Sequence, residues 1–266
     1  MKVGFIGGGK MATAIISDLV RSRIVHAHDI FVCDLSEERR RILKRRHGVN
    51  VYADNKMLLG VTEIVFLAVK PQNQDAVLDE IAEEVTPNHL LISIAAGRKL
   101  AHIEEMLPSH ARVVRVMPNL AAMISEGMSV FCMGNNATVD DRKKIITLLS
   151  CFGQVLELPE AQFDAVTALS GSGPAFFAYL LAQMVHAAEK LGLEHNAAAL
   201  LAEQTMLGTA MLLAKGEFTA DELIKAVSSA KGTTVAGMEV LQNSNLPEVI
   251  DKTLSAAAKR SKELSI

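Results

Sequence analysis

The feature that most constrains this chain is a glycine-rich turn near the amino terminus, in a stretch that reads VGFIGGGKMATAII. The apolar run Val3–Ile6 predicts a strand buried on both faces, and the apolar spacing after Ala12 predicts a helix. Between them, Gly7, Gly9 and Ala12 have G-x-G-x-x-A spacing. In this pattern the first glycine permits a tight turn, the second lets a pyrophosphate approach the backbone, and the alanine lets the helix pack on the strand. The spacing favours a dinucleotide site over a glycine turn without a ligand.

Composition narrows the class of protein. The chain has 266 residues, of which 50% are hydrophobic and 21% charged, as in a soluble protein with a large core. A net charge of −3 and an aromatic content of 4% argue against nucleic acid as a partner. Three separated cysteines form neither a disulfide framework nor a zinc ligand set, so we expect no metal and a reducing, cytoplasmic location.

The amino terminus enters a strand directly, so no signal peptide is expected. Polar residues interrupt the longest apolar stretches, and on that ground we expect no membrane span. The interrupting residues are Gln183, His186, Glu203 and Gln204.

Up to Pro159, predicted strands and helices alternate, which predicts an α/β fold with a Rossmann-type doubly wound sheet. Ser36 is expected to cap a charged helix, Glu37–His47, which Gly48 ends. The predicted strands after the first are 30–33, 49–52, 64–69, 90–94, 112–117, 129–133 and 154–158. We expect a dinucleotide-binding domain at 1–159 and a helical dimerisation and substrate-binding domain at 160–266.

The region after Pro159 is predicted to be helical. Two helices, at 175–191 and 197–215, are apolar on nearly every side, and such helices must be buried all round. We therefore expect burial against a second copy of the chain, giving a homodimer. The alternative is that these helices pack wholly against the first domain.

Short loops after the predicted strands are expected to line a cofactor, because ligands of open α/β sheets lie at the carboxyl ends of the strands. One loop contains Lys70 and Pro71, although Lys70 alone would suit a solvated strand end. Asp34 ends the second strand, where an acid binds a ribose 2′-hydroxyl, while Ser36 and the neighbouring arginines could hold a 2′-phosphate. The choice between NADPH and NADH stays open.

A second candidate anion site precedes a late helix. Gly232, Thr233 and Thr234 open this helix, and their N–H groups suit a carboxylate, with Lys231 adding charge. Ordinary capping by Ser229 or Thr233 is the alternative. The sequence offers no catalytic histidine and no Ser-His-Asp or Cys-His set, which favours hydride transfer, where the cofactor carries the chemistry.

Together these motifs resemble those of pyrroline-5-carboxylate reductases. The matching pieces follow the family's order along almost the whole chain: GFIGGGKMA at 4–12, Asn55-Lys56, LAVKPQ at 67–72, SIAAG at 93–97, RVMPN at 115–119, TALSGSGPAFF at 167–177 and VSSxxGTTxxG at 227–237. The resemblance implies reduction of 1-pyrroline-5-carboxylate to L-proline with NADPH, or with NADH as the alternative. It also implies an interlocked homodimer, and leaves open whether dimers assemble further.

The resemblance also assigns roles to residues. It implies that the Thr234 hydroxyl is catalytic and helps to deliver a proton to the ring nitrogen. The implied substrate contacts are Met117, Asn119, Glu217, Ser229, Gly232, Thr233 and Thr234. The expected cofactor contacts are Gly7, Gly8, Gly9, Lys10, Met11, Ala12, Asp34, Ser36, Asn55, Ala68, Val69, Lys70, Pro71, Ala95, Ala96 and Gly97.

Two departures from the family pattern bear on substrate fit. Members usually have Pro-Gly where this chain has Ala230-Lys231, and Thr-Pro where it has Leu120-Ala121.

Two other functions are the alternatives to this reductase. A 3-hydroxyacid dehydrogenase relative would carry a lysine on an early helix of the second domain, but residues 175–186 contain none. A cofactor-binding sensor would have no use for the second anion site.

Overall fold

The computed structural model describes residues 1–265, which form two compact units. The first unit comprises Met1–Ser172 together with the chain from Ala256 onwards, and the second comprises Gly173–Ser255.

The first unit contains one eight-stranded sheet in the order β3-β2-β1-β4-β5-β6-β7-β8. The order reverses beside β1, as in doubly wound sheets, and this fold class is confirmed. The strands are β1 (Val3–Ile6), β2 (Ile30–Cys33), β3 (Asn50–Tyr52), β4 (Ile64–Leu67), β5 (Leu90–Ser93), β6 (Arg112–Pro118), β7 (Gly127–Met133) and β8 (Gly153–Glu157).

One pair of strands departs from the parallel arrangement. β7 runs antiparallel to β6, with Val116 opposite Phe131, whereas the other neighbouring strands are parallel. The cause is the short connection at 119–126, which holds only a 3₁₀ turn. A parallel crossover needs a longer connection, usually with a helix.

Helices cover both faces of the sheet, because alternate strand residues enter two separate cores. Val3 and Phe5 of β1 pack into one core, while Ile6 packs into the other. The helices of the first unit are α1 (Lys10–Arg21), α2 (Glu37–His47), α3 (Asn55–Leu59), α4 (Pro71–Ile81), α5 (Leu100–Glu105), α6 (Val139–Leu149) and α7 (Phe163–Val166).

The α2 helix has the predicted ends. The Ser36 hydroxyl accepts a hydrogen bond from the Arg39 amide, and Gly48 follows the helix with a φ of 72°. The short α3 helix was not predicted, because five residues are too few to give a helical period. Asp54 caps it by accepting from the amides of Lys56 and Met57.

The second unit is helical. It holds α8 (Gly173–Lys190), α9 (His195–Ala214), α10 (Ala220–Val227), α11 (Thr233–Gln242) and the first part of α12 (Leu246–Leu264). Within the single chain, α8 and α9 pack on each other but leave most of their apolar side chains exposed. Burial on every side, which the sequence predicts, is therefore not achieved by one copy.

Two helical stretches of the described chain, Glu160–Lys190 and His195–Ala214, are long and apolar enough to cross a membrane. Helices at the core of soluble proteins can have the same length and composition.

Candidate functional site

The three glycines after β1 differ in what surrounds them. Gly7 has a φ of 98°, and a Cβ there would lie 2.8 Å from the Ala68 carbonyl oxygen. A Cβ on Gly8 would lie 2.7 Å from Cδ1 of Leu43. Gly9 has an ordinary φ of −70°, and apart from its own chain neighbours no atom of the described residues lies within 4 Å of its would-be Cβ. The fold thus requires Gly7, and a Cβ on Gly8 would displace the Leu43 side chain. Gly9 leaves an open space beside the turn, called the cradle below.

This cradle lies at the amino terminus of α1. Gly9 is the N-cap and supplies no side-chain hydrogen bond, so the first amides of the helix are free for an anion. Lys10 and Met11 begin the helix, and Ala12 is buried against the sheet. Free amides, a positive dipole end and room for a close approach fit the pyrophosphate of a dinucleotide.

Asp34 follows β2 and faces the same turn. Its carboxylate accepts from the amides of Gly8 at 2.8 Å and Ser36 at 2.9 Å, and from Nη1 of Arg39 at 3.2 Å. Burial raises the pKa of Asp34, but these three donors outweigh burial and hold that pKa below its usual value. The neighbouring Arg40 donates to the carbonyl oxygens of Asp34 and Leu35. Asp34 is thus an anchored anion beside the glycine turn.

The loops after β4 and β5 lie at the same edge of the sheet. The segment after β4 includes Ala68 and Val69, and Lys70 is the N-cap of α4 with Pro71 at its first position. Neither residue caps the helix with a side chain. After β5, Ala95 is buried and Ala96 is exposed. Gly97 turns with a φ of 74°, and a Cβ there would meet the Leu264 carbonyl oxygen at 2.8 Å.

Asn55 occupies the first position of α3 and is largely buried. Its Nδ2 donates to Oε2 of Glu80 in α4 at 2.9 Å. Its Oδ1 accepts no hydrogen bond among those of residues 1–265, so it can accept one from a ribose hydroxyl.

Met117 and Asn119 mark the carboxyl end of β6. The Asn119 Oδ1 accepts from the Met128 amide at 3.1 Å, which fixes the amide so that Nδ2 donates to Oγ of Ser170 at 3.3 Å. Ser170 lies in a π-helical turn, Thr167–Gly171, a conformation that occurs frequently at functional sites. A Cβ on Gly171 would lie 2.7 Å from Cε of Met117, so the turn packs closely on the strand end.

The second unit holds the other candidate anion site. Gly232 is the N-cap of α11 and no side chain caps it, so capping by Ser229 or Thr233, the alternative weighed from the sequence, does not occur. The Gly232 amide donates to the Ser229 carbonyl oxygen at 2.9 Å, whereas Thr233 and Thr234 occupy the first turn, where amides lack helical partners. Lys231 has a φ of 60°.

Glu217 lies apart from this turn in sequence, in the exposed connection between α9 and α10. Among the hydrogen bonds of residues 1–265, none joins its side chain to Ser229–Thr234. The role implied for Glu217 stays a prediction.

The cysteines lie outside these loops. Burial raises the pKa of the Cys33 thiol to about 11 and that of the Cys132 thiol to about 12, so neither is a thiolate near neutral pH. No group of His, Cys, Asp or Glu in the described part of the chain has the arrangement of a metal site.

A mostly parallel sheet whose glycine turn opens onto a free helix amino terminus defines a protein of the dinucleotide-binding class. Residues 2–97 match the family model described as NADP oxidoreductase coenzyme F420-dependent, and residues 160–264 match pyrroline-5-carboxylate reductase dimerisation. The pyrroline-5-carboxylate reductase of Methanosarcina acetivorans is 38% identical over 99% of this chain and 97% of its own length. The chain belongs to the pyrroline-5-carboxylate reductase family, whose members carry out the last step of proline biosynthesis, and the family predicted from the motifs is confirmed.

Solved structures agree with this assignment. A pyrroline-5-carboxylate reductase from Coxiella burnetii has a TM-score of 0.96 and 34% identity, covering 100% of this chain and 98% of its own. A Plasmodium falciparum pyrroline carboxylate reductase with NADP bound has a TM-score of 0.87 and 27% identity, also covering 100% and 98%. The prediction of an NADP-type cofactor is confirmed.

Proposed function

We infer that this chain reduces 1-pyrroline-5-carboxylate to L-proline with a hydride from NADPH, and that NADH is the alternative donor. The observation that carries the inference is the open cradle at Gly9, a glycine that the fold itself does not need. A second free helix amino terminus, at Thr233 and Thr234, supplies a site for the substrate carboxylate.

We assign the cofactor to the edge of the sheet where the loops after β1, β2, β4 and β5 meet. The pyrophosphate lies against Gly9 and the first amides of α1, and the ribose of the adenosine lies near Asp34 and Asn55. Contacts between neighbouring loops support the assignment, because Gly8 binds Asp34 and Gly7 packs on Ala68. The remaining predicted contacts are Lys10, Met11, Ala12, Ser36, Val69, Lys70, Pro71, Ala95, Ala96 and Gly97.

We assign the substrate carboxylate to the amides of Thr233 and Thr234, with Ser229 beside them. Because the Gly232 amide already binds the Ser229 carbonyl, Gly232 contributes a close approach rather than a donor. Met117, Asn119 and Glu217 complete the proposed set.

We place the boundary between the dinucleotide-binding domain and the helical domain near residue 159. The family match over 160–264 supports this position.

Reduction of the C=N bond needs little chemical catalysis from the protein's own side chains. When bound, the reduced nicotinamide supplies a hydride to the carbon of the C=N bond. The ring nitrogen gains a proton, and the Thr234 hydroxyl donates a hydrogen bond to that nitrogen and helps to deliver the proton. A cyclic imine is basic enough to be protonated from water. The main contribution of these residues is therefore to hold the imine and the nicotinamide close together in the right orientation.

Replacing Thr234 tests its role. We expect Thr234→Ala to lower kcat by roughly a hundredfold, a typical contribution of a positioned proton donor. The Kd for NADPH should change by less than about twofold, since the cofactor contacts lie elsewhere. Thr234→Ser should restore most of kcat. Thr253→Ala, which removes a threonine hydroxyl that bonds only to a helical carbonyl, is the matched control. A parental kcat in Thr234→Ala would remove the proton-delivery role.

We further propose that a second copy of the chain covers the apolar faces of α8 and α9. In α9 only Ala198 is buried, while Leu200 is 67% exposed and Met211 53% exposed. Exposed apolar surface on this scale marks an interaction site. A homodimer agrees with the dimerisation family that residues 160–264 match. We propose a cytoplasmic enzyme without a membrane or nucleic-acid partner, and this proposal leaves assembly beyond the dimer open.

Sedimentation equilibrium tests the dimer. We expect the parent protein to be at least dimeric and Leu200→Glu to shift the mass towards the monomer with loss of activity. Leu35→Glu replaces an apolar side chain that is 93% exposed in the first unit, and should leave the mass unchanged. A fully active monomer would contradict the proposal, and a protein found only with membranes would assign the apolar faces to lipid instead.

A further inference from the structure

Arg98 follows the loop after β5 and is one of the few buried cations of the described chain, with 6% of its surface exposed. Its Nε and Nη2 both donate to the Pro71 carbonyl oxygen, at 3.0 and 2.6 Å. Its Nη1 donates to the Asp75 carboxylate at 3.1 Å. All of these partners belong to the first turns of α4.

Burying a guanidinium is costly unless it is paired and hydrogen-bonded, and here both conditions are met by one neighbouring helix. The two hydrogen bonds from Nε and Nη2 to the Pro71 carbonyl oxygen are called the fork below. Only arginine can make the fork, because lysine has a single side-chain nitrogen. His102 adds a contact to the Asp75 carboxylate at 3.0 Å. Arg98 therefore ties the loop after β5 to the amino-terminal turn of α4.

The two tied segments, the loops after β4 and β5, are both assigned to the proposed cofactor site. Lys70 is the N-cap of α4 and Pro71 is its first residue, and Ala68, between β4 and this cap, packs on Gly7 of the glycine turn. Gly97 immediately precedes Arg98 and packs on the carbonyl of Leu264. α4 has no side-chain cap at its first turn, and two contacts from outside the helix hold this part of it: the fork from Arg98, and the hydrogen bond from Nε2 of Gln74 to Oγ of Ser93 at 2.9 Å. Of the two, the fork reaches Pro71, the first residue of the helix.

We propose that Arg98 is a positioning residue for the cofactor, which keeps the loops after β4 and β5 in their binding arrangement before NADPH arrives. Without the fork, both loops lose order and must regain it on binding, which lowers affinity. The proposal rests on the cofactor site assigned above. Loss of the Arg98 contact should therefore weaken NADPH binding but should not change the proton-transfer step at Thr234.

The test compares two arginines with the same kinds of partner. Arg98→Met removes the fork on Pro71. Arg112→Met is the control. Arg112 also pairs with a carboxylate and a carbonyl, since it donates to Asp141 at 2.6 Å and to the Asn88 carbonyl at 2.8 Å. It lies at the start of β6, however, away from the loops assigned to the cofactor. The Kd for NADPH is measured by ligand fluorescence, with KM for the imine substrate, kcat and Tm for each variant.

We expect Arg98→Met to raise the Kd for NADPH by about tenfold, a loss of about 1.4 kcal/mol. KM for the imine at saturating NADPH should stay within about twofold of the parent. Arg112→Met should lower Tm while leaving that Kd unchanged. A parental Kd in Arg98→Met, or an equal rise in Arg112→Met, would overturn the proposal.

Arg98→Lys keeps the charge beside Asp75 but cannot make the fork, so it serves if the methionine variant does not fold. It should also weaken NADPH binding, and parental affinity would overturn the proposal. Gly9→Asp, measured in parallel, tests the assigned site itself. If Gly9→Asp binds NADPH normally, the site is wrong irrespective of Arg98. If Gly9→Asp fails to bind while both Arg98 variants bind normally, only the role of Arg98 is wrong.

Discussion

The amide of Gly8 donates to Oδ2 of Asp34 at 2.8 Å, which joins the glycine turn after β1 to the end of β2. The bond fixes the carboxylate beside the turn, and Arg39 completes its set of donors. Asp34 thus serves the fold by holding the turn and, in the site proposed above, places a negative charge where the ribose of the adenosine lies.

Asp34→Asn should shift coenzyme preference towards NADPH. Asparagine keeps an oxygen for the Gly8 amide but removes the charge that repels a 2′-phosphate, and it frees Arg39 from its ion pair. We expect the ratio of kcat/KM for NADPH to that for NADH to rise by roughly tenfold. Lys144→Gln breaks only the exposed pair with Asp140 on α6, outside the loops assigned to the cofactor, and should leave the ratio unchanged. An unchanged ratio in Asp34→Asn would place the 2′-position away from Asp34.

Substitutions at Gly9 should separate folding from binding. Asparagine and aspartate are good N-caps, and a Cβ at Gly9 meets no atom within 4 Å, so both variants should fold with parental or higher stability. Gly9→Asn should weaken NADPH binding by filling the cradle, and Gly9→Asp should weaken it further by adding a negative charge. Gly7→Ala should instead destabilise the fold by about 1–3 kcal/mol. Thermal unfolding and NADPH titration check these results. Parental affinity in Gly9→Asp would refute the cradle.

Lys231 holds a left-handed backbone conformation that is unfavourable for lysine, with a φ of 60°. Glycine adopts this conformation without a steric penalty, whereas a β-branched side chain does so at the highest cost. Lys231→Gly should therefore be more stable than Lys231→Val by about 1–2 kcal/mol. Urea unfolding at one fixed protein concentration measures the difference. Equal stability of the two variants would show that the turn before α11 does not need the left-handed conformation.

His89 should make the protein less stable as the pH falls. It is 7% exposed, and its Nδ1 accepts from the Thr86 amide at 3.0 Å, which requires the neutral ring. Burial lowers the pKa of His89 below its usual value of 6.5, with a smaller contribution from Arg112. The unfolded chain then binds more protons than the folded chain, so the free energy of unfolding decreases as the pH falls below about 6.5.

His89→Gln removes this titration while keeping a donor for the Leu59 carbonyl oxygen, which Nε2 of His89 contacts at 3.2 Å. The free energy of unfolding should fall less between pH 7 and pH 5 in this variant than in the parent. His28→Gln, at an exposed histidine, is the control and should follow the parent. If His89→Gln also follows the parent, another group governs this range of pH.

The sequence predicted the strands, the doubly wound class and the capped α2 helix, because hydrophobic periodicity and turn chemistry are local signals. It did not predict the antiparallel β7, since strand direction depends on how the connection at 119–126 folds. It also gave no sign of the π-helical turn at Ser170, whose hydrogen bond to Asn119 joins residues far apart in the chain.

The same limit applies to the candidate site. The spacing of Gly7, Gly9 and Ala12 identified the turn, but only the structure separates the glycine that the fold requires from the one it leaves open. Arg98 stands next to the SIAAG motif, yet nothing in the sequence indicates that its side chain is buried against Pro71. Long-range contacts of this kind are set by packing, which a local pattern does not encode.

The most direct test of the account is the initial rate of NADPH oxidation by the purified protein with 1-pyrroline-5-carboxylate, with proline measured as the product. We predict rapid oxidation and one proline for each NADPH consumed. If NADPH binds but is not oxidised, and no proline forms, the proposed function is contradicted, and the turn at Ala230 and Lys231 becomes the first place to look for the cause.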